Sequence, residues 1–215
     1  MPTDVVVCAA TRAEQALLLA ELEGERGAVG GRTVALLRTG VGPVNAAVAL
    51  TRFLGGEGAG AIVCCGVGGA YPGSGLRTGD VVCASSECYA DLGAESPDGF
   101  LDMETLGFPV VEGDPPLFNR LPLDLFPAPR RAAFVTLATC TGTEESARAV
   151  AERTGGAVES MEGAAVVHAA RLHAVPVGEV RGISNRVGER DRRRWRVREA
   201  AEAAQRTLLD WLRAC

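Results

Sequence analysis

The chain contains no lysine; all 22 of its basic residues are arginine. That excludes a P-loop lysine cradling phosphate, a Schiff base to pyridoxal phosphate and a lysine general base. Histidine is almost as scarce. His168 and His173, the two present, fall in an alanine-rich helical pattern and read as structural. A histidine metal cluster or a Ser-His-Asp triad would need both well placed, and no G-x-S-x-G segment occurs. No apolar run reaches the roughly 20 residues that span a bilayer. Asp4 precedes the first short apolar stretch and no basic segment leads it, so a signal peptide is not expected. The formal charge of −5 argues against nucleic acid or an anionic membrane as the main partner. A cytoplasmic location is the expectation.

The seven cysteines form no C-x-x-C pair. Cys8, Cys64, Cys65, Cys83 and Cys88 sit in or beside apolar strand-like runs, with Cys140 and Cys215 later in the chain. In such runs cysteine behaves as a small hydrophobe, so structural thiols are expected rather than disulfides or a zinc site.

What is present fits one domain over residues 1–215. Asp4–Ala9 is a β-branched run suited to a buried strand, and Thr11 opens a helix that runs to about Glu23. Thr33–Leu37 and Ala61–Cys65 read as strands, separated by the turn GVGP and a small-residue helix from Val44 to about Leu54. Asp80–Ala84 and Glu87–Asp91 read as two further strands. Gly93–Arg130 is rich in proline, glycine and acidic residues, and reads as a long irregular loop of functional or interfacial use. Ala132–Ala138, a helix over Glu144–Glu152, a helix over Met161–Leu172 and the strand Val177–Ile183 follow. The last helix carries Val197, Ala201, Ala204, Leu208 and Trp211 on one face. This alternation predicts an α/β fold: three layers, with a mixed, mainly parallel sheet flanked by helices. Ligands in such folds sit at the carboxyl ends of strands. The polar and glycine-rich turns fall there: Thr11–Glu14, Gly40–Asn45, Gly66–Gly69, Thr139–Thr143 and Ser184–Asp191.

Each motif has a plain structural reading beside its chemical one. GVGPVN at 40–45 and GVGGAY at 66–71 each lack the last glycine of G-x-G-x-x-G, so a dinucleotide site is not indicated, and tight packing turns would explain them. Thr11-Arg12-Ala13-Glu14 is a capping box, yet a carboxylate at a strand's end is also where a water is oriented and deprotonated. Glu159-Ser160-Met161-Glu162-Gly163-Ala164-Ala165 opens a helix whose small residues allow close packing. Glu162 there either complements the helix dipole or accepts hydrogen bonds from two neighbouring hydroxyls, as a ribose requires. Val180–Asn185 is a strand ending in a polar pair. Beyond it, Arg186–Trp195 holds five arginines interrupted by Asp191, a solvated self-paired loop or an anion contact.

Taken in order, TGVGPVNAA, GVGGAY with GLRTGDVV, MEGAA and VRGISN resemble the nucleoside phosphorylase/nucleosidase family nearly end to end. The resemblance implies cleavage of a purine nucleoside at its N-glycosidic bond, through an oxocarbenium-like state and without metal or cofactor. By position, Glu14 matches the glutamate that activates water, and Met161 and Glu162 match the pair along the ribose. Gly66, Thr141, Gly142 and Asn185 fall around the base. Where adenine-releasing members carry aspartate, this chain has Asn185, which favours a 6-oxopurine and cannot act as a general acid. Asp191 or water then supplies the proton. The motifs GVGGAYPGSGL, ECYADLG, ATCTGT and EVRGISNRVGERDRRRW are nearest to a branch whose nucleoside also bears a benzoate and lies on a route to menaquinone. A carboxylate wants an arginine fork, and Arg192, with Arg190 and Arg12 as alternatives, is placed to provide one. The family also implies a homodimer or larger homo-oligomer, for which Phe100–Phe108 is the contact candidate. A phosphate-dependent phosphorylase, with Arg12 and the Gly40–Val44 turn on phosphate, is the first rival reading. A non-catalytic nucleoside-binding domain is the second.

Overall fold

The computed structural model describes residues 3–188 and 190–214; Cys215 lies outside them. The chain opens with β1 (Thr3–Ala9), a 3-10 turn at Ala13–Gln15 and α1 (Ala16–Glu21). Then come β2 (Arg26–Val29), β3 (Arg32–Arg38), α2 (Pro43–Gly56) and the long β4 (Ala59–Ala70). They are followed by β5 (Val81–Cys88), the hairpin β6 (Gly93–Ser96) and β7 (Gly99–Asp102), α3 (Met103–Leu106) and β8 (Arg120–Pro122). The second half holds β9 (Arg131–Thr136), α4 (Glu144–Thr154), β10 (Val158–Ser160), α5 (Gly163–Leu172), β11 (Val177–Arg186) and α6 (Val197–Ala214).

Among the described residues the main sheet has nine strands, ordered β10-β9-β5-β11-β4-β1-β3-β2 with β8 on β5. Strands β3, β1, β4 and β11 run parallel, while β5 runs antiparallel to β11. The far end of β4 also pairs antiparallel with β10, so β4, β11, β5, β9 and β10 close into a ring. Successive side chains on a strand face opposite ways, and both faces here are covered. Val6, Cys8, Ile62 and Cys64 pack toward α2 and α5. Val5, Val7, Val63 and Cys65 pack toward α1 and α6. That two-sided burial is why β1 and β4 read as continuous apolar runs. It also accounts for adjacent cysteines on opposite faces. Burial pushes the Cys8 and Cys65 thiols up to about 12, so they stay protonated and act as packing groups.

The fully buried Leu208 and Leu212 fasten α6 to the sheet, each contributing about 1.5–3 kcal/mol over an exposed position. Gly182 lets α6 approach at backbone distance: a Cβ there would lie 2.6 Å from the Ala200 carbonyl carbon. Ala201, Ala204 and Leu208 of the expected face are buried, while at its ends Val197 is exposed and Trp211 only partly buried, with Leu212 in the core.

Several local expectations need correction. The Gly66–Gly69 segment is part of β4 rather than a turn: it pairs with β11 from Arg181 to Asn185, and its glycines mark close approaches that leave no room for a side chain. Residues 80–91 contribute one strand, β5, where two were expected. The helix after Thr11 begins as a 3-10 turn and ends at Glu21, and α5 begins at Gly163, leaving Met161 and Glu162 ahead of it. The Gly93–Arg130 segment is not a bare loop; it holds β6, β7, α3 and β8.

Candidate active site

A cleft of about 230 Å³ opens where β1, β4, β10 and β11 end. Glu14, Thr141, Met161, Glu162 and Asn185 all line it, joined by Thr11, Glu159, Arg181, Ser184 and Trp195. Sequence segments far apart in the chain are thus brought to one wall, as expected for ligand sites at strand ends.

Glu14 serves the capping box and the cleft together. Its Oε2 accepts from the Thr11 backbone N–H at 3.1 Å and the Thr11 hydroxyl at 2.8 Å. Its Oε1 accepts from the Val67 N–H at 3.0 Å, which ties the carboxylate to β4. The capping bonds thus leave the carboxylate on the cleft lining. The space for the carboxylate exists because residue 66 is glycine: a Cβ there would overlap Glu14 Oε1 and stand 2.7 Å from Arg181 Nη1. Gly66 acts from beneath the cleft and not on its lining.

Glu162 precedes α5 but its side chain makes no capping bond. Instead its Oε1 accepts from the Gly42 N–H at 3.0 Å, and its Oε2 faces both terminal nitrogens of Arg181 at 3.5 Å. Burial raises its carboxyl above the usual range; Arg181 and the Gly42 N–H oppose that, and Glu14 and Glu179 add to it. Met161 is held by a sulfur contact, with its Sδ 3.3 Å from Cys140 Sγ.

Asn185 ends β11. Its Oδ1 accepts from the Ser184 hydroxyl at 2.7 Å and its Nδ2 donates to the Arg186 carbonyl at 3.0 Å. An amide carries two N–H protons, so one remains for a ligand.

Five other expected residues stand elsewhere. Gly142 is exposed and off the lining, while its neighbour Thr141 is on it. Arg192 is exposed in a short 3-10 turn and outside the cleft, as is Arg12. Arg190 lies over the Trp195 ring, 5.4 Å from its centroid. Asp191 lines an adjoining hollow, paired with Arg193 at 2.8 Å and Arg194 at 3.8 Å. The hydrogen bond from Arg193 holds its carboxyl below the usual range. An ionised, paired carboxylate outside the cleft has no proton to give at neutral pH, which corrects its expected role as the acid.

Sequence reading missed the polar floor. Arg181 is 2% exposed, with its Nε bonded to Glu179 at 2.7 Å and its Nη1 to the Val67 carbonyl at 3.2 Å. Glu159 accepts from the Tyr71 hydroxyl at 2.7 Å and the Thr141 N–H at 2.9 Å, which fastens the 139–143 loop to the floor. The available signal was charge within the apolar run EVRGI, since a charged side chain in a two-sided buried strand must be paired. Trp195 is the aromatic on the lining, a position hidden in the arginine-rich loop. Among the described residues no group of three or more His, Cys, Asp or Glu is arranged to hold a metal.

Residues 9–213 match the phosphorylase superfamily. The chain is 41% identical over 175 residues to the futalosine hydrolase of Streptomyces coelicolor, covering 78% of this chain and 74% of that one. To the futalosine hydrolase of Thermus thermophilus it is 36% identical over 181 residues, covering 80% and 78%. In three dimensions it is similar to the 5'-methylthioadenosine/S-adenosylhomocysteine nucleosidase of Neisseria meningitidis in complex with methylthio-immucillin-A. The TM-score there is 0.84 at 20% identity, covering 99% of this chain and all of the other. The futalosine hydrolase of Helicobacter pylori gives 0.82 at 14% identity, covering 99% and 98%. At such identities the likeness is one of fold.

Proposed function

The chain belongs to the phosphorylase superfamily, and we propose that it is the N-glycosyl hydrolase that cleaves futalosine, releasing hypoxanthine and dehypoxanthine futalosine in menaquinone biosynthesis. The observation that carries this reading is the convergence of Glu14, Glu162 and Asn185 on one cleft. Each has the chemistry that one part of a 6-oxopurine nucleoside requires.

In this reading Glu162 accepts the two ribose hydroxyls, Met161 lies along the sugar, and the free Nδ2 proton of Asn185 goes to the 6-oxo group of the base. Glu14 accepts a proton from the water whose oxygen bonds to the anomeric carbon. As the C–N bond breaks, its electron pair stays with the purine, which takes up one proton. Asn185 has no acidic proton and Asp191 is paired outside the cleft, which leaves water as the source. Trp195 gives the base an aromatic wall.

A phosphorylase is the weaker reading on two observations. The Gly42 N–H, which a phosphate would need, is already committed to Glu162, and Arg12 lies outside the cleft. Val41 on the cleft lining and Val44 and Val48 on α2 just after it are 50%, 74% and 52% exposed, and elsewhere Phe108 is 64% exposed. These apolar positions support a homodimer or larger assembly closing over the site.

The test is base release from futalosine, inosine and adenosine, with and without phosphate. Phosphate-independent hypoxanthine release from futalosine supports the reading. A strict phosphate requirement with a sugar 1-phosphate product overturns it.

A further inference from the structure

Beneath the cleft lies a second carboxylate pair that the reaction as described does not use. Glu87 on β5 and Glu179 on β11 are both fully buried. Glu87 Oε2 is satisfied by the Thr136 hydroxyl at 3.0 Å and the Cys88 N–H at 3.1 Å, and Glu179 Oε1 by Arg181 Nε at 2.7 Å. Among the described residues the remaining oxygens, Glu87 Oε1 and Glu179 Oε2, have no such partner. Both converge on Gly163, the first residue of α5: a Cβ there would overlap Glu87 Oε1 and Glu179 Oε2 and lie 2.6 Å from Glu179 Oε1.

Two carboxylate oxygens side by side in a buried position repel, and neither has a protein donor among the described residues. One proton between them removes both problems. We infer that Glu87 and Glu179 share a single proton, and that the pair, through Arg181, positions Glu162 for the ribose. Charge balance supports this. Among the described residues Arg181 is the one guanidinium facing Glu179 and Glu162, with Glu14 close by. A singly protonated pair leaves one negative charge to anchor the Arg181 Nε side and frees the terminal nitrogens to face Glu162. Burial, then the neighbouring Glu179, raise the Glu87 carboxyl well above its usual range, against the opposing pull of Arg181 and Thr136. Gly163 thus also joins the ribose-facing Glu162 in sequence to the proton-sharing pair in space. Glu87 and Glu179 touch no ligand; they are positioning residues.

The second half of the inference rests on the ribose role proposed for Glu162, so the test has two arms. Infrared spectra of the full chain at neutral pH are expected to show a protonated-carboxyl C=O band that Glu87→Gln removes and Glu162→Gln leaves. Absence of the band, or its survival in Glu87→Gln, overturns the shared proton whatever the substrate. In the kinetic arm, Glu179→Gln is expected to raise KM for the nucleoside about tenfold while inhibition by hypoxanthine alone is unchanged. Glu87→Gln, whose amide still donates toward Glu179, is expected to stay within about threefold of the parent. Equal weakening of nucleoside and base in folded Glu179→Gln would mean a general structural role and overturn the positioning. Where Glu179→Gln does not fold, Glu179→Asp, which keeps the charge at a shorter reach, serves the same comparison.

Discussion

Glu162 and Arg181 face each other at 3.5 Å with side chains 7% and 2% exposed, so the carboxylate that reaches the cleft is held by an almost fully buried cation. The raised Glu162 carboxyl has a direct kinetic consequence. Ribose binding requires the ionised form, so the acid limb of kcat/KM should lie above the ordinary glutamate range of about pH 4.3. Glu162→Gln should move that limb toward acid and lower kcat/KM by about 10- to 100-fold, the worth of a charge-assisted hydrogen bond or two. The sign also holds for folding. A raised native value means the folded chain holds the proton more tightly, so this contribution to stability is present at low pH and lost as pH rises through the native value.

Asn185→Asp reverses the polarity of the edge presented to the base. The variant should lose about 10²-fold or more in kcat/KM for the hypoxanthine nucleoside, while the adenine counterpart gains relative to it. The ratio of the two kcat/KM values measures this; an unchanged ratio would remove Asn185 from base selection.

Gln205 on α6 is fully buried and accepts from the Leu17 and Leu18 N–H groups at 2.8 and 3.4 Å, while donating to the Ala13 carbonyl at 3.3 Å. It anchors the turn that carries Glu14. Gln205→Leu should cost about 1–3 kcal/mol by orphaning buried N–H donors, read as a lowered denaturation midpoint. Activity should fall further than stability alone explains, since Glu14 loses its support.

Much of this was legible in the sequence because the information is local. β1 and β4 carry continuous apolar runs, MEGAA and VRGISN keep their order, and the structure brings Glu14, Met161, Glu162 and Asn185 to one cleft. What escaped depends on partners far apart in the chain. Nothing near Gly66 signals that Glu14 and Arg181 press on it, so a strand looked like a turn. The burial of Arg181 follows from its pairing with Glu162 and Glu179, which periodicity does not reveal. Asp191 and Arg192 lie near Asn185 in sequence, but the 3-10 turn at Arg192–Arg194 is capped by Asp191, which spends its carboxylate on local arginine partners.

Gly182→Ala would place a methyl against the Ala200 backbone. Neither strand nor helix has a flexible end to give there, so a loss of about 1–3 kcal/mol is expected from overpacking. Thermal denaturation of the purified variant checks it, and full stability would mean α6 sits farther from β11 than described.

Whether Glu14 directs water to the anomeric carbon is tested most directly by hydrolysis of futalosine in ¹⁸O-labelled water. One labelled oxygen at the anomeric position of the sugar product is expected, independent of phosphate, with kcat lowered about 10²–10⁴-fold in Glu14→Gln and KM little changed. An unlabelled sugar 1-phosphate, or a Glu14→Gln variant as active as the parent, would contradict it.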